Sequence, residues 1–229
     1  MKIGGFQRFS MIDYPGKVGA IVFTQGCNFR CPYCHNPELV LPKCFGRLVL
    51  EKEIFDFLAT RQGKLDAVVV TGGEPTLQPD LLPFMGKIKD MGFLIKLDSN
   101  GSNPGVLEKA LAGKLLDYIA MDIKAPMAKY SSVTDAKVAL PNIQKSIKVI
   151  MHSGLPYEFR TTVLPSQLAL EDFPVIGEMI KGARLYVLQK FVPSKALNSG
   201  FMNEATYSQE EFEKIKQVME KYCEQCLVR

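Results

Sequence analysis

Short runs rich in Val, Ile, Phe and Tyr alternate along this chain with amphipathic stretches, a pattern that restricts it to a parallel sheet covered by helices. The runs predict strands at Gly19 to Thr24, Ala67 to Thr71, Phe93 to Leu97, Tyr118 to Asp122, Glu158 to Val163 and Leu185 to Phe191. Apolar residues at helical spacing predict helices at Glu51 to Thr60, Leu81 to Met91, Val106 to Ala112, Asn142 to His152 and Phe173 to Lys181. A further helical pattern, Gln209 to Gln225, closes the chain. This periodicity fits an open doubly wound sheet, a barrel or part of a barrel, and all of these place function at the C-terminal ends of the strands.

With 229 residues, 47% of them hydrophobic, the chain can bury one sizeable core. No internal repeat, low-complexity tract or Gly/Ser linker divides it, so one domain over residues 1–229 is expected. A net charge of +4, from 28 basic and 24 acidic residues and with no Lys/Arg run of five, points to no nucleic-acid partner. No apolar run approaches the roughly 18 residues of a membrane helix, and Met1 to Gly16 lacks the apolar core of a signal peptide. The expectation is a soluble cytoplasmic protein without a membrane partner. Thiols stay reduced there, so the six cysteines are read as metal-binding or catalytic rather than as disulfides.

The polar motifs fall where strand patterns stop. After Thr24 comes Cys27-Asn28-Phe29-Arg30-Cys31-Pro32-Tyr33-Cys34-His35, a C-x3-C-x2-C triplet in a loop. Three thiolates suit an iron-sulfur cluster or zinc, and a four-iron cluster held by three cysteines keeps one iron open to a ligand. The alternative is a zinc site completed by His35 or by Cys44. After the second strand, Gly72-Gly73-Glu74-Pro75 offers paired glycines, which permit close backbone approach to a ligand or form a simple turn. The third strand ends in Asp98-Ser99-Asn100-Gly101, equally readable as an Asn-Gly turn with an Asx-type cap. On the fourth, alternation sends Asp122 and Lys124 to one face and Met121 and Ile123 to the other. An inward Lys beside an inward Asp requires mutual pairing or a ligand.

The C-x3-C-x-aromatic-C loop, with Tyr33 as the aromatic residue, resembles the signature of the radical S-adenosylmethionine superfamily. The resemblance implies a partial parallel (β/α)6 barrel and two cofactors, one four-iron, four-sulfur cluster on Cys27, Cys31 and Cys34 and S-adenosylmethionine. In that superfamily the open iron is chelated by the amino and carboxylate groups of S-adenosylmethionine. One electron then breaks the sulfonium bond, giving a 5'-deoxyadenosyl radical and methionine. The cofactors carry the chemistry, so no protein acid, base or nucleophile is expected. By the same resemblance Gly72, Gly73 and Glu74 receive the methionine amino group. Asp98 and Ser99 match an activase Asp-Thr-Asn-Gly motif with Ser in place of Thr. Lys124 meets the methionine carboxylate, Asp122 meets the ribose hydroxyls, and Arg160, on the fifth strand, points at the cofactor unless it lies exposed on the rim. The last strand departs from pyruvate formate-lyase activating enzymes, which carry a ribose-contacting His near here. The only histidines are His35 and His152, which leaves Gln189 as the substitute; His152 reads as a surface or capping residue.

Ser10 to Gly16 and Gln189 to Pro193 resemble anaerobic ribonucleoside-triphosphate reductase activating proteins. The partners this implies are a glycyl-radical enzyme, ribonucleotide reductase first, and a low-potential electron donor. Activation of pyruvate formate-lyase, a radical enzyme acting on a small molecule, and a non-enzymatic zinc or redox module are the alternatives. Cys44, Cys223 and Cys226 are left off the cluster, the last two as a C-x2-C pair in a helical pattern.

Overall fold

The computed structural model describes residues 1–229 and contains one eight-stranded sheet whose strands lie side by side in chain order. The strands are β1 (Ile3–Ser10), β2 (Gly19–Thr24), β3 (Ala67–Gly72), β4 (Leu94–Ser99), β5 (Tyr118–Asp122), β6 (Tyr157–Val163), β7 (Ala183–Lys190) and β8 (Cys223–Val228). Between and after them run α1 (Pro37–Val40), α2 (Glu51–Ala59), α3 (Leu81–Asp90), α4 (Pro104–Ala112), α5 (Tyr130–Thr134), α6 (Leu140–Met151), α7 (Asp172–Met179) and α8 (Gln209–Met219). β1 is antiparallel to β2, and every later neighbour pair is parallel. Parallel strands in sequential order need a crossover at each step, and the amphipathic helices supply it.

Side-chain alternation along the strands separates two apolar layers. One face sends Val68, Val70, Ile95, Leu97, Ile119 and Phe159 into the main core, where Ile54, Leu58, Phe84, Ile88, Ile147 and Phe212 of the helices meet them. The other face has a small cluster of Ile21, Ala67, Val69 and Tyr118 near the N-terminal strand ends, closed by Tyr14. Tyr14 reaches it from a tight turn in which Ser10 bonds Asp13 and Lys17 N donates to Tyr14 O (3.1 Å). Its ring lies 5.5 Å from that of Tyr118. The Ser10 to Gly16 segment therefore plugs the end of the sheet opposite the cysteine loop.

The strands predicted from the sequence are β2 to β7, and the sheet stays open because β1 and β8 are its edges. The architecture is α/β, a partial barrel extended by one strand on each side. The long helix expected over 209–225 is corrected: it ends at Met219, and Cys223–Val228 is strand β8. No Gly or Pro marks that stop. Tyr222 N closes a tight last turn on Met219 O (2.9 Å), and its carbonyl accepts from Gly182 N (2.7 Å) ahead of β7. No helix is long and apolar enough to cross a membrane.

Candidate functional site

The loops after β2, β3, β4 and β5 surround a cavity of about 250 Å3 at the C-terminal strand ends. It is lined by Cys27, Cys31 and Cys34 together with Tyr33, Gly72, Gly73, Glu74, Asp98, Ser99, Asp122, Lys124 and Arg160. Every site residue singled out from the sequence thus faces one space.

The cysteine loop is held by its own backbone and by its neighbours. Gly26, at φ +105°, turns the chain out of β2; its N–H donates to Leu39 O (2.7 Å) and its carbonyl accepts from Glu74 N (2.8 Å). Arg30 donates to the carbonyls of Cys27 (2.6 Å) and Phe29 (2.7 Å), while its own N–H reaches Thr134 O (2.8 Å). Phe29 packs edge-on against Tyr130 of α5. Burial pushes the Cys27 thiol up to about 12, and raises Cys31 and Cys34 as well. Binding to iron must therefore displace protons.

The donor set fits the implied cluster. Three thiols share a cavity, and the buried Tyr33 hydroxyl at its wall has no protein partner. The zinc alternatives do not assemble. His35 lines the cavity but is engaged elsewhere, its Nε2 2.8 Å from Val192 O and its ring stacked on Phe191, and Cys44 is exposed on a short turn. No three His, Cys, Asp or Glu side chains are grouped closely enough for one ion. A four-iron cluster is a larger body whose separate corners meet separate sulfurs.

Gly72 and Gly73 permit a close approach, but to protein backbone as well as to the cavity. Gly72 adopts φ +117°, and a Cβ on Gly73 would stand 2.2 Å from Gly26 O. Glu74 is fully buried and braces three loops. Its Oε1 accepts from Thr76 N (3.0 Å), Thr76 Oγ1 (2.5 Å) and Ser99 Oγ (2.8 Å), and its Oε2 accepts from Asn100 N (2.7 Å). Only Oε2 keeps a lone pair for a ligand. Asn100 forms the Asx turn that its sequence suggests, accepting from Ser102 N (2.9 Å), and its amide also donates to Asn28 Oδ1 (2.9 Å) in the cysteine loop.

Opposite these loops lies a chain of ion pairs. Arg160 bridges two carboxylates, NH1 to Asp98 Oδ2 (3.0 Å) and Nε to Asp122 Oδ1 (3.0 Å); Lys124 Nζ donates to Asp122 Oδ2 (3.0 Å). Arg160 is thus a cavity residue rather than an exposed rim residue. Burial would raise Asp122, but Arg160 and Lys124 overcome it and hold the carboxyl well below its ordinary range. Burial would lower Lys124; Asp122, Tyr33 and Cys31 reverse the shift and raise it.

Gln189 of β7 lines the cavity where a histidine was missing from the sequence pattern, and Asn100 lines it as well. Lys96, buried beneath Asp98, was not singled out from the sequence, since one Lys in an apolar run carries no distinguishing signal. His152 caps α6 at the surface, its Nδ1 2.7 Å from Lys148 O. Cys223 and Cys226 lie on β8 and do not line the cavity.

Comparison with known proteins places this geometry. Residues 21–173 match the profile of the Radical SAM superfamily. A Methanocaldococcus jannaschii protein, provisionally named a glycyl-radical enzyme activating enzyme, is 34% identical over 99% of this chain and 95% of its own length. The pyruvate formate-lyase-activating enzyme of Clostridium pasteurianum is 28% identical over 80% of this chain and 77% of its own. Among solved structures, a domain of a pyruvate-formate lyase-activating enzyme from Bacteroides vulgatus superposes with a TM-score of 0.58 at 16% identity. That superposition covers 72% of this chain and 99% of the domain.

Proposed function

The chain belongs to the radical SAM superfamily, whose members use a four-iron, four-sulfur cluster and S-adenosylmethionine, and from that premise we propose that it is an activase for anaerobic ribonucleoside-triphosphate reductase. It would cleave S-adenosylmethionine reductively and take a hydrogen atom from a backbone glycine of that reductase, leaving a glycyl radical. The observation that carries this reading is the convergence of three thiols and the Asp98–Arg160–Asp122–Lys124 ion pairs on one cavity in an unclosed sheet. The similarity to a provisionally named activating enzyme over nearly the whole chain supports the activase class. The Ser10 to Gly16 and Gln189 to Pro193 segments support the choice of target.

In this reading Cys27, Cys31 and Cys34 hold the cluster, with Tyr33 walling it. The Gly72–Gly73 backbone and the free lone pair of Glu74 Oε2 accept from the methionine ammonium. Lys124 meets the methionine carboxylate and Asp122 the ribose hydroxyls. Asp98, Ser99 and Arg160 keep these groups in place. When bound, the cluster and S-adenosylmethionine supply the electron transfer and the hydrogen-abstracting radical. The protein residues bind, orient and exclude water. The single sheet supports treating residues 1–229 as one domain, and the need for reduced thiols and a low-potential electron donor fits the cytoplasm.

The similarity to the Clostridium enzyme favours pyruvate formate-lyase as the second target. The test presents each candidate, anaerobically, to the reduced, cluster-loaded protein and S-adenosylmethionine, and looks for a glycyl radical by electron paramagnetic resonance. A radical on the reductase is expected. A radical on pyruvate formate-lyase alone would transfer the assignment to the second target. No radical on either, with a small metabolite accelerating S-adenosylmethionine cleavage, would overturn the activase reading.

A further inference from the structure

Lys96 is a buried cation that the reading of the cavity leaves unused. Its side chain is 2% exposed, it pairs in register with Val69 and Tyr118, and it does not line the cavity. Its Nζ donates to Asp98 Oδ1 (2.5 Å) and stands 5.9 Å from the centre of the Tyr118 ring. A methionine or leucine at this depth would pack among Val69, Leu94 and Tyr118 without the cost of taking a cation out of water. A buried lysine is therefore informative, and its one carboxylate partner, Asp98, is a cavity residue.

Together with the pairs already described, the contact completes a ladder of alternating charge, Lys96, Asp98, Arg160, Asp122 and Lys124. Within each carboxylate the two oxygens meet different cations, and Arg160 is shared between the two. Glu158 approaches Arg160 only at 3.8 Å and is itself engaged by Arg229 (3.1 Å) and the Tyr118 hydroxyl (3.4 Å). The ladder holds three cations and two carboxylates, and its last cation, Lys124, faces the cavity. We infer that Lys96 is a positioning residue for S-adenosylmethionine: by occupying one oxygen of Asp98 it keeps Arg160 shared between Asp98 and Asp122, so that Lys124 stays available to the cofactor carboxylate. Without Lys96, both guanidinium nitrogens turn to Asp98 in a two-point pair. Asp122, released by Arg160, then holds its existing partner Lys124 more tightly. The inference rests on the reading of the cavity as a S-adenosylmethionine site.

The experiment titrates S-adenosylmethionine calorimetrically into the full-length, cluster-loaded protein and into Lys96→Met, Asp98→Asn and the double variant. Lys96→Met is expected to weaken binding about tenfold, in the range of coupling between neighbours in one network, with iron content unchanged. In the Asp98→Asn background the same substitution is expected to change affinity less than about twofold, because its route of action is gone. A pH series adds a readout that simple loss of packing does not move. Burial pushes Asp98 up, and Arg160 and Lys96 hold it below the ordinary carboxylate range. Asp122 of β5 also bears on it, while Lys124 and Glu158 act one step removed, on Asp122 and Arg160. With Lys96 replaced, the Asp98 carboxyl rises, so Lys96→Met should lose affinity on mild acidification that wild type retains. Lys96→Gln, which keeps a donor without charge, should share the acid sensitivity with a smaller loss of affinity at neutral pH, and serves if the methionine variant does not fold. Equal losses in both backgrounds, or unchanged affinity in Lys96→Met, would overturn the inference while wild-type binding stands. Failure of wild type to bind S-adenosylmethionine would overturn the cavity reading and this inference together.

Discussion

Lys124 Nζ sits 3.0 Å from Asp122 Oδ2 with 15% of its side chain exposed, so a carboxylate that reaches it enters a partly dry site. Lys124→Ala removes one partner of a buried pair and leaves Asp122 to Arg160 alone. The expected loss is about 2 kcal/mol or more in S-adenosylmethionine affinity, with iron content unchanged, measured by calorimetry on the cluster-loaded variant. Unchanged affinity in a folded variant would mean that the cofactor carboxylate lies elsewhere. For the metal, anaerobic reconstitution should give about four irons per chain, and Cys27→Ala, Cys31→Ala or Cys34→Ala should each abolish it. Full iron occupancy in any of the three would sink the ligand assignment. The Asp122–Lys124 pair was legible in the sequence because strand alternation is local: residues two apart share a face. The bridging by Arg160 was not, since its partners Asp98 and Asp122 lie 62 and 38 residues away and only the sheet register unites them. Two of the four donors to Glu74, Ser99 Oγ and Asn100 N, were hidden for the same reason, 25 and 26 residues along the chain.

At the scale of elements, β2, β3 and β5 were readable because they are buried on both faces and so written in nearly continuous apolar residues, and β4, β6 and β7 because their apolar and β-branched residues still outweigh the charges they carry. The edges were not. β1 carries Gly4 and Gly5, leaves Gln7, Arg8 and Phe9 exposed and shifts register twice along β2, which erases any regular period. β8 follows α8 after a single turn, and its Cys-Glu-Gln-Cys spacing mimics the helical i, i+3 pattern, so tertiary pairing with β7 decided what the local sequence left open. Placing Cys223 and Cys226 on that edge strand, off the cavity, leads to an expectation: the Cys223→Ser, Cys226→Ser double variant should keep full iron content. Loss of iron there, in a folded protein, would require a second role for the pair. The junction of β2 and β3 is more demanding. A Cβ at Gly73 would stand 2.2 Å from Gly26 O, backbone against backbone, with no flexible side chain to yield. Gly73→Ala should destabilise the protein by about 1–3 kcal/mol and lower its iron content, read from the melting temperature and iron analysis. A variant with wild-type melting and iron would show that the two loops separate freely.

For the whole molecule, the decisive feature is that the sheet does not close. β1 and β8 remain edges, and the cavity stands at the C-terminal strand ends with the cysteine loop on one side and the Arg160 bridge on the other. A small-molecule enzyme gains from enclosure, whereas an enzyme acting on a glycine within another protein must admit an extended segment. That difference is measurable without the partner protein. Reduced, cluster-loaded protein given S-adenosylmethionine alone should form 5'-deoxyadenosine slowly, because no hydrogen donor is held at the reacting atom, and positioning supplies much of such a rate. A peptide copying the glycine loop of the reductase should accelerate that formation about tenfold or more. Its affinity should be modest, since ordering an extended segment consumes about 2–5 kcal/mol of the contact energy. A peptide with the glycine replaced by alanine and one of scrambled sequence are the controls. If the scrambled peptide accelerates as well as the true one, the opening does not read the loop. If no peptide accelerates while a metabolite does, the open edge serves another purpose and the substrate is small.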